Sequence, residues 1–311
     1  MQPLAPVTAT APGSTLITGE HAVIYGHAAI VCAIEQRATV KLHPLSARHL
    51  EVKSSVAPWF VSELDVLPSG GPLRFVLACV NRFLGRFEGG LSLEITSDID
   101  PTLGLGSSAA VTIACLGALS AALGEPLHSD QKIRLHHEAV SIIRGIQGRG
   151  SGADLAASLF GGMLSYRISG QTADITALPV PPPLSLRYSG YKTPTGEVLA
   201  RVAAAMVGQE AAYEALYSRM GALADMTITA AEAQDWPLFA SHMQAYQDLM
   251  VELGVSDATL DQFVAEAARQ PGVLAAKISG SGLGDCVLAM GATPESFWPA
   301  PVTQEGLKIY D

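Results

Sequence analysis

The chain has 311 residues, 49% of them hydrophobic and 15% charged, and its 19 Lys and Arg against 29 Asp and Glu leave a net charge of −10. Such a chain can bury the cores of two compact domains, which excludes intrinsic disorder. Its negative field repels nucleic acid and anionic lipid, so an anionic ligand must meet a local basic patch. Cys32, Cys79, Cys115 and Cys286 are widely spaced and form no C-x-x-C pair. They read as reduced, buried thiols of a cytoplasmic protein and not as metal ligands. The opening MQPLAPVTAT has neither a basic n-region nor an apolar h-region, and Gly, Ser or charge interrupts the long apolar stretches, so neither export nor a membrane span is expected.

From Ser14 to Val40, STLITGEHAVIYGHAAIVCAIEQRATV is rich in Val, Ile, Thr and Ala and is interrupted by Gly19 and Gly26. That pattern predicts short strands joined by tight turns. The alternation in LSLEITSDI (Leu91 to Ile99) predicts a half-buried strand that leads into PTLGLGSSAA, after which Ser108 to Leu123 reads as a helix. A second helix is expected over Ser129 to Ile146, followed by the glycine-rich QGRGSGAD, a helical ADLAASLF and a strand GGMLSYRI. The proline-rich LPVPPPLSLRYSG then separates a first domain, residues 1–180, from a second, residues 181–311. The second opens with helices between Thr195 and Gln270 and ends with VLAAKISGSGLGDCVLAM, a strand, a glycine loop and a strand. An α+β chain whose second half is a helix-bearing antiparallel sheet is the expectation.

The loop PTLGLGSSAA poses the functional question. A glycine-rich turn feeding a helix aims unpaired backbone N–H groups and the positive end of the helix dipole at one point, which suits phosphate. Neither the Walker A pattern nor the Rossmann G-x-G-x-x-G is present. Three such loops follow one another: APGSTLITGEHAVIYG, PTLGLGSSAA and KISGSGLGDCVL.

In that order and spacing the three loops resemble the motifs of the GHMP kinase superfamily, in its mevalonate-pathway branch. The resemblance implies a two-domain α+β fold, with an N-terminal domain like domain 2 of ribosomal protein S5 and a C-terminal ferredoxin-like domain. It also implies ATP as phosphoryl donor, Mg²⁺, a small-molecule acceptor and room for a homodimer. Carried onto this chain, Gly104, Leu105, Gly106, Ser107, Ser108 and Ala109 would hold the nucleotide phosphates, with Gly280, Ser281 and Gly282 covering them from the second domain and Ser108 offering its hydroxyl to the metal. In GEHAVIYGHAAI, Glu20 and His21 would line the acceptor pocket. In IQGRGSGADLAASLFGG, Asp154 would be the base or orienting carboxylate, and in RYSGYKTPTGEVL, Lys192, Thr193 and Thr195 would touch the acceptor. Taken alone, His21 also fits a satisfied core histidine, and Asp154 and Thr195 fit plain helix N-caps.

Two departures from the family pattern stand out, one at Ser14 and one at Ile143 with Gln147. The usual A-P-G-K, whose lysine stands near the transferring phosphoryl group, is Ala11-Pro12-Gly13-Ser14 here, and Ile143 and Gln147 stand where mevalonate kinases carry a metal-binding glutamate and a histidine. Arg149 and Arg144 are the nearest basic residues in sequence to Asp154, unless they are ordinary surface charge. Arg149 is assigned the catalytic cation. With Arg187 and Lys192 these residues favour an acceptor that already carries a phosphate. The first expectation is therefore transfer to 5-phosphomevalonate, with mevalonate as the alternative acceptor and a non-catalytic nucleotide or metabolite sensor as a further one.

Overall fold

The computed structural model describes residues 5–55, 57–170 and 172–310, so the first four residues of the opening segment lie outside it. Strand β1 (Val7–Thr18) pairs antiparallel with β2 (Ala29–Leu45) along most of its length. These are long strands of 12 and 17 residues, where the glycine punctuation predicted short ones. Gly19 and Gly26 instead bracket the intervening segment, whose Ala22–Tyr25 forms a single 3-10 turn. The Val-, Ile- and Ala-rich residues beyond it run straight on because β2 has partners on both sides. Its first half pairs with β6 (Met163–Ser169) and its second with β5 (Gly90–Ser97).

Strands β3 (His49–Ser54) and β4 (Ala57–Glu63) extend the sheet beyond β5, and β7 (Thr172–Leu178) pairs with β6. Among the described residues this first sheet has eight strands. The eighth, β12 (Lys308–Tyr310), comes from the far end of the chain to pair with β1. Helices α1 (Arg74–Phe83), α2 (Ser107–Ala122), α3 (Ser129–Gln147) and α4 (Ala153–Phe160) accompany the sheet. The alanine-rich α2 is apolar on every side, as a helix buried all round must be. It packs on β1, β2 and the other three helices.

The second sheet is antiparallel throughout, in the order β11 (Trp298–Pro299), β8 (Leu184–Tyr188), β10 (Cys286–Gly291), β9 (Val273–Ser279). Helices α5 (Thr195–Met206), α6 (Glu210–Glu232), α7 (Trp236–Glu252) and α8 (Ala258–Ala268) fill the region between β8 and β9, and α7 and α8 pack on β9. No helix among the described residues is long and apolar enough to cross a membrane.

Pro12 interrupts β1, and a proline inside a strand removes a ladder donor, so it is tolerated where the ladder is already broken. The register of β1 against β2 indeed shifts between Pro12 and Gly13. Just past that bulge the Ser14 N–H donates to the Leu105 carbonyl at 3.1 Å, tying β1 to the loop ahead of α2. The strand, the loop and the opening of α4 meet at this point.

Candidate active site

Helix α2 begins at Gly106, in the left-handed region (φ 68°), and no side chain caps it. Its first amides are therefore left to an outside partner, and the dipole favours an anion. Space enforces the glycine as well, because a Cβ at Gly106 would lie 2.1 Å from Ser14 Oγ. The neighbouring turn is equally tight, since a Cβ at Gly104 would lie 2.6 Å from the carboxyl carbon of Asp285, which enters from the second sheet.

Asp154 stands in the first turn of α4, but the N-cap is Gly152 and the carboxylate does not cap the helix. Its Oδ1 accepts from Ser14 Oγ–H at 2.8 Å. Burial among close-packed neighbours raises the Asp154 carboxyl above the ordinary carboxylate range; the Ser14 hydrogen bond works against this, Glu20 adds to it, and Lys192 opposes it. Three side chains grip the loop that delivers it. Arg144 Nε donates to Gly150 O at 3.0 Å, Tyr166 Oη to Ser151 O at 2.6 Å, and His136 Nε2 lies 3.0 Å from Gly152 O. Burial pushes His136 down to about 4, so the ring is neutral near pH 7 and Nε2 carries the proton that this carbonyl accepts.

Glu20 and His21 form the opposite wall. Glu20 is 2% exposed, and its Oε1 accepts from Lys277 Nζ at 2.5 Å while Oε2 has no hydrogen-bond partner. Lys277 is fully buried on β9 and spans the two sheets. His21 sits at φ 61°, a strained conformation for histidine. Its Nε2 faces the Ser281 carbonyl at 2.8 Å, so Nε2 bears the proton and the buried, unpartnered Nδ1 is an acceptor. Burial lowers the His21 pKa and keeps the ring neutral. Ser281 Oγ and Asp285 Oδ1 are likewise buried without a hydrogen-bond partner. Unpaired buried polar atoms are costly, and Glu20 Oε2, His21 Nδ1 and Ser281 Oγ, three of them on these two facing loops, describe a surface that awaits a polar ligand; Asp285 Oδ1 has the Lys192 ammonium 3.6 Å away.

The other expected residues separate into two groups. Lys192 and Thr193 are at the junction of the glycine loops: Lys192 Nζ donates to Pro101 O at 3.2 Å, and Thr193 Oγ1 donates to Leu283 O at 2.6 Å. Thr195 is exposed at the start of α5, whose N-cap is Pro194. Arg149 is exposed on the loop before α4, and the charges acting on Asp154 are those of Glu20 and Lys192. Arg187 is paired with Glu266 at 2.7 Å and lies over the Phe263 ring. Ser107 and Ser108 open α2, and no cluster of three or more His, Cys, Asp or Glu able to hold a metal occurs among the described residues. Lys277 and Asp285 went unread in the sequence. A lysine inside the apolar VLAAKIS and an acid inside a glycine loop were the available signals.

The profile of the GHMP kinases N terminal domain matches residues 74–162, and that of the GHMP kinases C terminal region matches residues 227–296. A mevalonate kinase of Thermococcus sibiricus is 30% identical over 309 residues, covering 93% of this chain and 90% of its own. The chain belongs to the GHMP kinase family. Further archaeal relatives at similar identity are also mevalonate kinases, so this GHMP kinase falls in the mevalonate-pathway branch. Its fold is shared with the Lin0012 protein of Listeria innocua, with a TM-score of 0.85 at 22% identity over 99% of this chain and all of that one. The phosphomevalonate kinase of Streptococcus pneumoniae, solved with phosphomevalonate and AMPPNP, has a TM-score of 0.77 at 16% identity and 93% coverage of each chain.

GHMP kinases use ATP, and the site's shape fits a polyphosphate: an uncapped helix start, a backbone stripped of side chains at Gly104 and Gly106, and hydroxyls at Ser107 and Ser108. Magnesium keeps several waters and takes few protein ligands, so if the nucleotide carries that ion the Ser108 hydroxyl at the start of α2 is the residue that would hold it. Bound there, the metal would neutralise phosphate charge.

Proposed function

We propose that this GHMP kinase phosphorylates mevalonate, giving 5-phosphomevalonate and ADP, and that the reaction runs in the cytoplasm. The observation that carries the choice of acceptor is the chemistry around Asp154. A phosphorylated acceptor asks for guanidinium groups to hold its phosphate, and the arginines offered by the sequence are engaged with protein partners or exposed to solvent. Arg187 is committed to Glu266 and Phe263, Arg144 to Gly150, and Arg149 is exposed. The facing wall carries Glu20, whose charge Lys277 balances, and a neutral histidine, His21, which can accept hydroxyl hydrogens and bring no cation to a phosphate. The names of the archaeal relatives support the same acceptor, and the likeness to the phosphomevalonate kinase rests on the shared fold. Preference for the phosphorylated acceptor, which the basic residues suggested, gives way on these grounds. Four buried free cysteines suit a reducing compartment.

In this reading the acceptor's 5-hydroxyl attacks the γ-phosphorus, the bond to the β,γ-bridging oxygen breaks, and ADP leaves with that electron pair. Asp154 takes the hydroxyl proton, a role helped by its raised pKa. Ser14 holds the carboxylate and is itself tied to Leu105 of the phosphate loop, so base and donor share one rigid mount. His21 Nδ1 and Glu20 Oε2 receive hydroxyl hydrogens of the acceptor. Acceptor-triggered ADP release tests the proposal: mevalonate is expected to trigger it and 5-phosphomevalonate to leave the rate at background.

A further inference from the structure

Phosphoryl transfer requires positive charge over the group in flight, yet Ser14 occupies the position of the first-motif lysine. The remaining cations near the site differ in availability. Lys277 is fully buried and spent on Glu20 and the Ile278 carbonyl. Arg187 is paired with Glu266, Arg144 holds the Gly150 carbonyl through its Nε, and neither Arg144 nor Arg149 is among the charges that act on Asp154.

Lys192 is different. Its ammonium donates one hydrogen bond, to the carbonyl of Pro101 at the head of the phosphate loop, and lies 3.6 Å from Asp285 Oδ1 in the other glycine loop. An ammonium has three donors; with one on Pro101 and one turned to Asp285 a third remains, and the side chain is 32% exposed, whereas Lys277 is wholly buried. Its charge opposes the rise in the pKa of both Asp154 and Asp285 and helps to lower that of Asp100, which shows its field covering both loops and the base. The backbone beneath is fixed. Asp285 N–H donates to Tyr191 O at 3.1 Å and Ser189 N–H to Asp285 O at 2.9 Å, while a Cβ at Gly284 would stand 3.1 Å from Lys192 Cα. A long, partly exposed cation on a rigid mount between the two loops meets the requirement that Ser14 leaves open.

We propose that Lys192 is a catalytic residue, its ammonium contacting the transferring phosphoryl group in place of the absent first-motif lysine, with Asp285 holding it in position. Lys192 keeps its protons throughout; the hydroxyl proton goes to Asp154 and the leaving electron pair to ADP. The inference rests on the reading of the site as a phosphoryl-transfer centre but not on the identity of the acceptor.

The test compares wild type with Lys192→Met and Lys192→Arg, each first checked for an unchanged melting temperature. Calorimetry with Mg·ADP and with Mg·AMP-PNP isolates the contribution of the terminal phosphoryl group without any acceptor. In Lys192→Met the preference for AMP-PNP over ADP is expected to fall about tenfold or more, and kcat with mevalonate by about 10²–10³, the scale for losing one preorganised charge-stabilising donor. Lys192→Arg is expected to recover part of both. An unchanged nucleotide preference with only a raised acceptor KM would overturn the proposal and leave Lys192 an acceptor contact; unchanged behaviour in both would reduce it to a strut on Pro101. Loss of the AMP-PNP preference in a protein whose wild type ignores mevalonate would uphold Lys192 and refute the acceptor.

Discussion

The loop from Pro101 to Gly106 empties into a 16-residue helix whose first amides no side chain caps, whereas the loop from Gly280 to Asp285 joins two antiparallel strands and has no helix behind it. Both are rich in glycine, and both hold glycines at positive φ. The first presents N–H groups outward, as a phosphate needs. The second turns its groups on the protein itself: the Ser281 carbonyl on His21, the Asp285 carboxylate toward Gly104 and Lys192, and the Leu283 carbonyl on Thr193. Composition makes a tight loop possible, but the element that follows decides whether it grips an anion or organises side chains. Asp154 belongs to the phosphate-loop side through Ser14, and the Glu20–Lys277 pair to the other side through β9.

The sharpest way to break this division is at Asp154. Asp154→Asn keeps the shape and removes the charge, so kcat is expected to fall by about 10²–10⁴, with Mg·ATP affinity nearly unchanged. Because the folded protein raises the Asp154 pKa, its ionised form is disfavoured on folding and costs stability above the unfolded-state pKa. The Asn variant is therefore expected to melt no lower than wild type. A lower melting point with normal kcat would make Asp154 a structural residue.

The second comparison is energetic. Lys277→Met leaves Glu20 buried without its counter-charge, and removing one partner of such a pair costs about 3–5 kcal/mol. Denaturant unfolding is expected to show that loss, and Glu20→Gln added to Lys277→Met to recover most of it. Additive losses would mean that the two residues act separately.

The smallest effect is in the loop that carries Asp154. The pKa of His136 is lowered to about 4, so the folded state binds fewer protons than the unfolded state between that value and 6.5. Its contribution falls as pH drops through this window, by about 1 kcal/mol per unit. His136→Gln is expected to flatten the acid side of the stability curve, and an unchanged curve would remove His136 as its source.

The glycine loops, the helices α2, α3 and α4 and the closing strand pair were legible because each follows from a local pattern: a glycine cluster, an apolar run or an alternation. The strands β3 and β4, helix α1 and the return of β12 to β1 went unread, and long-range pairing decides most of these. Lys277 shows why. Within VLAAKIS it reads as the solvated face of a strand, and its partner Glu20 lies 257 residues away. The cation at the site was likewise sought at Arg149, close to Asp154 in sequence, while Lys192 reaches both glycine loops from 38 residues further along the chain.

That the converging loops phosphorylate an unphosphorylated acceptor is tested most directly by the ³¹P spectrum of the product formed from Mg·ATP with mevalonate and, separately, with 5-phosphomevalonate. One new phosphomonoester signal from mevalonate, equal in amount to the ADP formed, with no diphosphate from 5-phosphomevalonate, is the expected result. A pair of coupled diphosphate signals from 5-phosphomevalonate, with mevalonate left unchanged, would contradict it.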